Sequence, residues 1–145
     1  MLTSLMLSAV LMGQGQVVVQ GGPPPAPVPK DAPRALPDTP QGKHVKAYLA
    51  AFNAGDEKKF MAMQETLFAP EALARRTAAD RSKMFNRMKG DFGTLVVKRA
   101  VAAPGQIRAV MADKEGNDAI FSFDFETSAP FRIKGIGVDI ANVER

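Results

Sequence analysis

The chain of 145 residues has no cysteine and no tryptophan, and only one tyrosine and one histidine. Without a thiol there is no disulfide staple, no cysteine nucleophile and no lipid-modified cysteine after the apolar start. The same composition excludes a zinc site of Cys and His ligands, and neither metal nor cofactor is expected. The hydrolase signatures Gly-x-Ser-x-Gly and Ser-x-x-Lys are missing. Gly135-Ile136-Gly137 lacks the third glycine and the strand-to-helix setting of a dinucleotide loop. Aromatics make up 7% of the chain, fewer than the stacking platforms of single-strand nucleic-acid binders require. The formal charge of +4 is therefore read as a solvated basic surface, with nucleic acid not expected as a partner.

Basic residues are also absent before Lys30. Leu2 to Met12 is apolar apart from Thr3, Ser4 and Ser8, and Gly13-Gln14-Gly15 offers the small residues a signal peptidase reads. Residues 1–15 therefore resemble a secretory signal without its usual positive start. The apolar run is broken too early for a membrane span, which needs about 20 residues. Of the eleven prolines, eight fall between Pro23 and Pro40. Repeated proline fixes φ and removes backbone donors, so residues 16–41 are expected to form a semi-rigid, extended linker. The folded domain is expected over residues 42–145, in an exported protein, periplasmic or secreted.

From Gly42 the period is helical, with Val45, Leu49 and Phe52 on one side and Lys43 and Lys46 on the other. Asn53-Ala54-Gly55 ends that helix, and Asp56 caps a second running to Phe68 with Phe60, Met63 and Leu67 as its stripe. Pro70 opens a short third helix, and Thr77 with Asp80 opens a fourth carrying Met84, Phe85 and Met88. Beyond Thr94 the period becomes two. Leu95, Val97, Arg99 and Val101 alternate with their neighbours, and strands follow over 106–112, around Phe121-Phe123-Phe125, and over 131–140. Gly135 and Gly137 suggest a bulge or bend in the last strand. Helices followed by antiparallel strands give an α+β fold, with N-terminal helices packed on a curved sheet of about four strands.

The stretch Ala47-Tyr48-Leu49-Ala50-Ala51-Phe52-Asn53-Ala54-Gly55-Asp56, with this element order, resembles the cone-shaped nuclear transport factor two-like (SnoaL-like) superfamily. Pro70-Glu71-Ala72-Leu73, Arg81, Gly93-Thr94-Leu95 and Pro130 to Val138 are similar to the small domains attached to bacterial exported serine hydrolases and peptidases. The resemblance spans residues 43–141. It implies the cone fold, a bacterial source, and an accessory domain whose partners include an exported hydrolase. Superfamily members include isomerases, dehydratases and epoxide hydrolases as well as domains without catalysis, and no catalytic residue carries over.

Ser122, Asp124 and Glu126 share one face of a strand, with the two carboxylates roughly 7 Å apart at their Cα atoms. Such a pair does acid/base work where a pocket separates its pKa values. Otherwise it forms the solvent face opposite the phenylalanines, paired with Arg108, Arg132 or Lys134. Tyr48 is the candidate polar tip of a pocket, with His44 one helical turn before it. Phe52, Phe60, Met63, Met84 and Met88 could line an apolar ligand cavity, or simply form core. The leading expectation is a non-catalytic domain binding a small apolar molecule or a protein partner. One alternative is a pocket enzyme of isomerase or hydrolase type, with Asp124 or Glu126 as base and Tyr48 polarising the substrate. Another is an oligomerisation module, which calls for an exposed apolar patch on the open face of the sheet.

Overall fold

A computed structural model describes residues 16–19 and 26–140. The suspected signal peptide over 1–15 lies outside the described residues, as do residues 20–25 of the proline-rich stretch. Helix α1, Pro40–Ala54, starts two residues before the expected Gly42, because Thr39 caps it through the Gly42 N–H and Pro40 occupies the first turn. Gly55 closes it in the left-handed conformation, at φ 74°. Asp56 caps α2, Glu57–Leu67, by accepting the Lys59 N–H. The short α3 spans Pro70–Ala74, and α4 spans Ala78–Phe92 behind Thr77, whose hydroxyl accepts the Asp80 N–H. Gly90 lies inside α4 and Gly93 ends it.

The strands are β1 (Gln16–Val19), β2 (Val96–Ala103), β3 (Gln106–Ala112), β4 (Asp118–Phe125) and β5 (Ile133–Asp139). All neighbours are antiparallel, in the order β1-β5-β4-β3-β2. The α+β expectation holds, with the helices N-terminal to the main strands. The strand beyond the expected four is β1, which comes from the stretch assigned to the linker and pairs with β5 from Gln16 opposite Asp139 to Val19 opposite Ile136.

Alternation along β4 divides the sheet into two faces. Phe121 and Phe123, with Ile107, Ile136 and Val138, meet Tyr48, Phe52, Phe60 and Phe85 from the helices in one core. Phe125 and Ile133 join it at the far end, where Phe68 bridges to Ile133 and the Ala69 N–H donates to the Ile133 carbonyl. Asn53 docks the end of α1 onto Leu95 through two hydrogen bonds of 2.9 Å, one to the Leu95 carbonyl and one from its N–H.

The sheet carries two bulges. One falls between Asp124 and Phe125 where they meet Gly135 and Ile133, so Lys134 is the extra residue beside the glycine expected to mark a bend. The other falls between Val97 and Arg99 and reverses the alternation of β2. Leu95 and Val97 face the helices, as does Ala100, whereas Val101 packs on the opposite face. The single face expected for Leu95, Val97, Arg99 and Val101 is thus broken at Lys98.

The opposite face was expected to be open to solvent, but part of it is covered. Val28, only 4% exposed, packs with Ala32 on Val101, Val110 and Ile120. The Pro29 carbonyl accepts Arg99 Nε at 3.0 Å, and the Pro33 carbonyl accepts the Ala100 N–H of the sheet-edge strand at 2.8 Å. Over residues 26–39 the proline-rich stretch is thus a strap lying on the domain. Its prolines cannot donate to the edge, yet their carbonyls cap it.

Candidate functional site

The helix-side core is filled by rings. Tyr48 is 1% exposed, with ring centroids 5.4 Å from Phe60, 6.4 Å from Phe68 and 5.4 Å from Phe123. Phe52 and Phe60 pack edge-on at 6.1 Å, and both meet Phe85. Burial pushes the Tyr48 phenol well above its ordinary pKa. Residues proposed to wall a cavity therefore pack against one another, with Met63 half-buried at their margin.

Asp124 lies on the other side of the sheet. It is half-buried, accepts Gln106 Nε2 at 3.0 Å, and lines a shallow cleft with Arg75, Thr127 and Lys134. Ser122 is fully buried and accepts from the same Gln106 side chain at 3.3 Å, so it belongs to an interior layer and not to a solvent face. Glu126 Oε1 accepts the backbone N–H of Arg132 and holds the turn between β4 and β5. Arg108 sits opposite Ser122 with its Nε buried and unpartnered among the described residues, and makes none of the expected cross-strand pairs. His44 donates from Nε2 to the Pro130 carbonyl at 2.9 Å, tying α1 to the same turn.

Met84 and Met88 do come together. With Arg87, Asp91, Phe92, Val138 and Ile140 they line an apolar groove of about 70 Å³ between α4 and the end of β5. Asp91, Phe92 and Ile140 are shared with an adjoining cleft of about 270 Å³ that adds Asp113, Asn117 and Asp118. The groove thus has an apolar floor, and three carboxylates lie along it.

Polar burial beneath the helices escapes hydrophobic periodicity. Arg81 is 5% exposed and grips the carbonyls of Leu73 and Arg76 and the carboxylate of Glu65. Gln64 is buried with its Oε1 unpartnered among the described residues. Exposed Glu57 joins α2 to α4 by accepting Ser82 Oγ and Asn86 Nδ2, contacts that hold its carboxyl below the usual range. Among the described residues, no group of His, Asp and Glu is arranged to hold a metal, and no helix is long and apolar enough to cross a membrane. No protein-family model, curated protein or solved structure matches the chain.

Proposed function

We propose that this chain is a non-catalytic, exported bacterial accessory domain of the nuclear transport factor two-like kind, and that it works by binding another protein. The observation that carries the reading is the separation of the groups suggested for catalysis. Tyr48 packs on Phe123, whereas Asp124, the next residue, points through the other face of the sheet. A base and a polarising hydroxyl must reach one substrate within hydrogen-bond range, and these two have β4 between them. The helices preceding a bent antiparallel sheet support the family reading. The apolar start supports export, which the lack of cysteine permits.

Size favours a protein over a small apolar molecule as the partner. Small-ligand pockets run from about 300 to 1,000 Å³, and the Met84–Ile140 groove, at about 70 Å³, has room for little more than one side chain. Asp91 and Asp113 along its margin, facing one cation at Arg87, favour a segment with an apolar anchor beside Lys or Arg, while Asp118 is taken by Lys98.

Selection from a displayed peptide library against the full chain tests this. Enriched peptides should pair a bulky apolar residue with basic neighbours and lose about tenfold or more in affinity against Ile140→Asp or Asp91→Lys. Peptides without that pattern, or equal binding to both variants, would sink the protein-partner reading. A small apolar molecule retained stoichiometrically in native mass spectrometry would replace it with the ligand-binding one.

A further inference from the structure

The strap and β2 enclose a cleft of about 400 Å³ lined by Lys30, Ala32, Arg34, Val97, Lys98 and Arg99. Four of these six residues are cationic and none is acidic. Asp118 offsets part of this charge, its carboxylate taking Lys98 Nζ at 3.0 Å. Arg99 spends its Nε on the Pro29 carbonyl, and its two terminal nitrogens have no partner among the described residues. Arg34 has none there either. Lys30 adds its charge to the cleft without being required as a free group.

The geometry points to a binding site for a phosphate-bearing small molecule in this cleft, with Arg34 and Arg99 as the recognising pair. Guanidinium groups present forked donors that match the oxygens of a phosphoryl group, and a dianion relieves the repulsion among the gathered cations. The volume falls within the small-ligand range of about 300 to 1,000 Å³. The cleft is also set in advance. A turn from the Ala32 N–H to the Pro29 carbonyl, together with the Pro29 and Pro33 contacts to β2, fixes the strap that carries Lys30 and Arg34. Lys98, the extra residue of the bulge, and Arg99 line the cleft beside Val97, whose side chain packs on the helix-side core. The site shares no lining residue with the groove at Ile140, although Lys98 reaches Asp118 at the margin of that groove.

Calorimetric titration of the full chain with inorganic pyrophosphate at low ionic strength tests the proposal. One saturable site is expected, weakened about tenfold or more by Arg34→Gln. That side chain is exposed and makes no contact the fold needs, so the variant should match the parent in circular dichroism. Arg99→Gln should weaken binding as well, while Lys46→Gln, which removes the same charge from the exposed side of α1, should leave it unchanged. Absence of a saturable site, undiminished binding to Arg34→Gln, or an equal loss in Lys46→Gln would each overturn the assignment. Tighter binding to duplex DNA than to pyrophosphate, insensitive to both arginine variants, would overturn it in favour of non-specific backbone attraction.

Discussion

Tyr48 is the only tyrosine in the chain, so its phenol can be followed without interference from another. Because burial raises its pKa, the folded state favours the protonated ring. That contribution is full below the pH near 10 at which an unfolded tyrosine ionises, and it is lost as the pH rises from there towards the folded value. Tyrosinate absorbance should therefore appear together with loss of the circular dichroism signal. Tyr48→Phe, a change that nearly conserves volume, should keep neutral-pH stability within about 1.5 kcal/mol and flatten the alkaline decline. Tyrosinate forming near pH 10 in an intact fold would show a ring open to solvent. The sequence offered Tyr48 as the polar tip of a pocket, but side-chain spacing on one helix does not reveal which rings arrive from β4. The burial of Gln64 and Arg81 was missed for a related reason. Their types are usually exposed, and the burial of Arg81 is tolerable because α3 and the turn after it bring in the carbonyls of Leu73 and Arg76 while Glu65 supplies the opposite charge.

At the scale of elements, boundaries were legible wherever a cap wrote them. Asp56, Thr77, Gly55 and Gly93 stand where the helices begin and end. The bulge at Lys98 was not legible, because its residues suit a continuous strand and the extra one is fixed by pairing with β3. The strap was misread because proline composition reports local stiffness, not whether an extended segment has a surface to lie on. Gly42 gives a test whose sign depends on that point. Alanine in a helix is worth about 1 kcal/mol over glycine, so Gly42→Ala would stabilise α1 if the preceding segment were loose. With the strap seated, a Cβ at this position falls 1.9 Å from the Pro37 carbonyl oxygen, a contact only backbone movement relieves. Overpacking costs roughly 1 to 3 kcal/mol, so chemical denaturation should find the variant less stable than the parent. A gain in stability would mean the strap does not hold its place.

For the whole molecule, the same segment decides whether the domain ends at α1 or includes what precedes it. The helices cover one face of the sheet, and the strap covers part of the other through Val28 and Ala32. Of the four main strands, both outer ones are also engaged, since β1 pairs with β5 and the Pro33 carbonyl takes the Ala100 N–H of β2. A tether could be removed without consequence for the domain, whereas a cover could not. Deleting residues 1–38 should leave Val101, Val110 and Ile120 bare, and should open the edges of β5 and β2, which invites pairing between chains. The truncated chain is expected to self-associate in light scattering at concentrations where the full chain does not, and to unfold at lower denaturant. Val28→Asp in the full chain separates the two effects. It places a charge over Val110 and Ile120 while leaving β1 in position, so it should lower stability, by several kcal/mol if the carboxylate stays buried, with less self-association than the deletion. A truncated chain as stable and dispersed as the parent would return residues 26–39 to the role of spacer and confine the domain to the helices and the four strands that follow them.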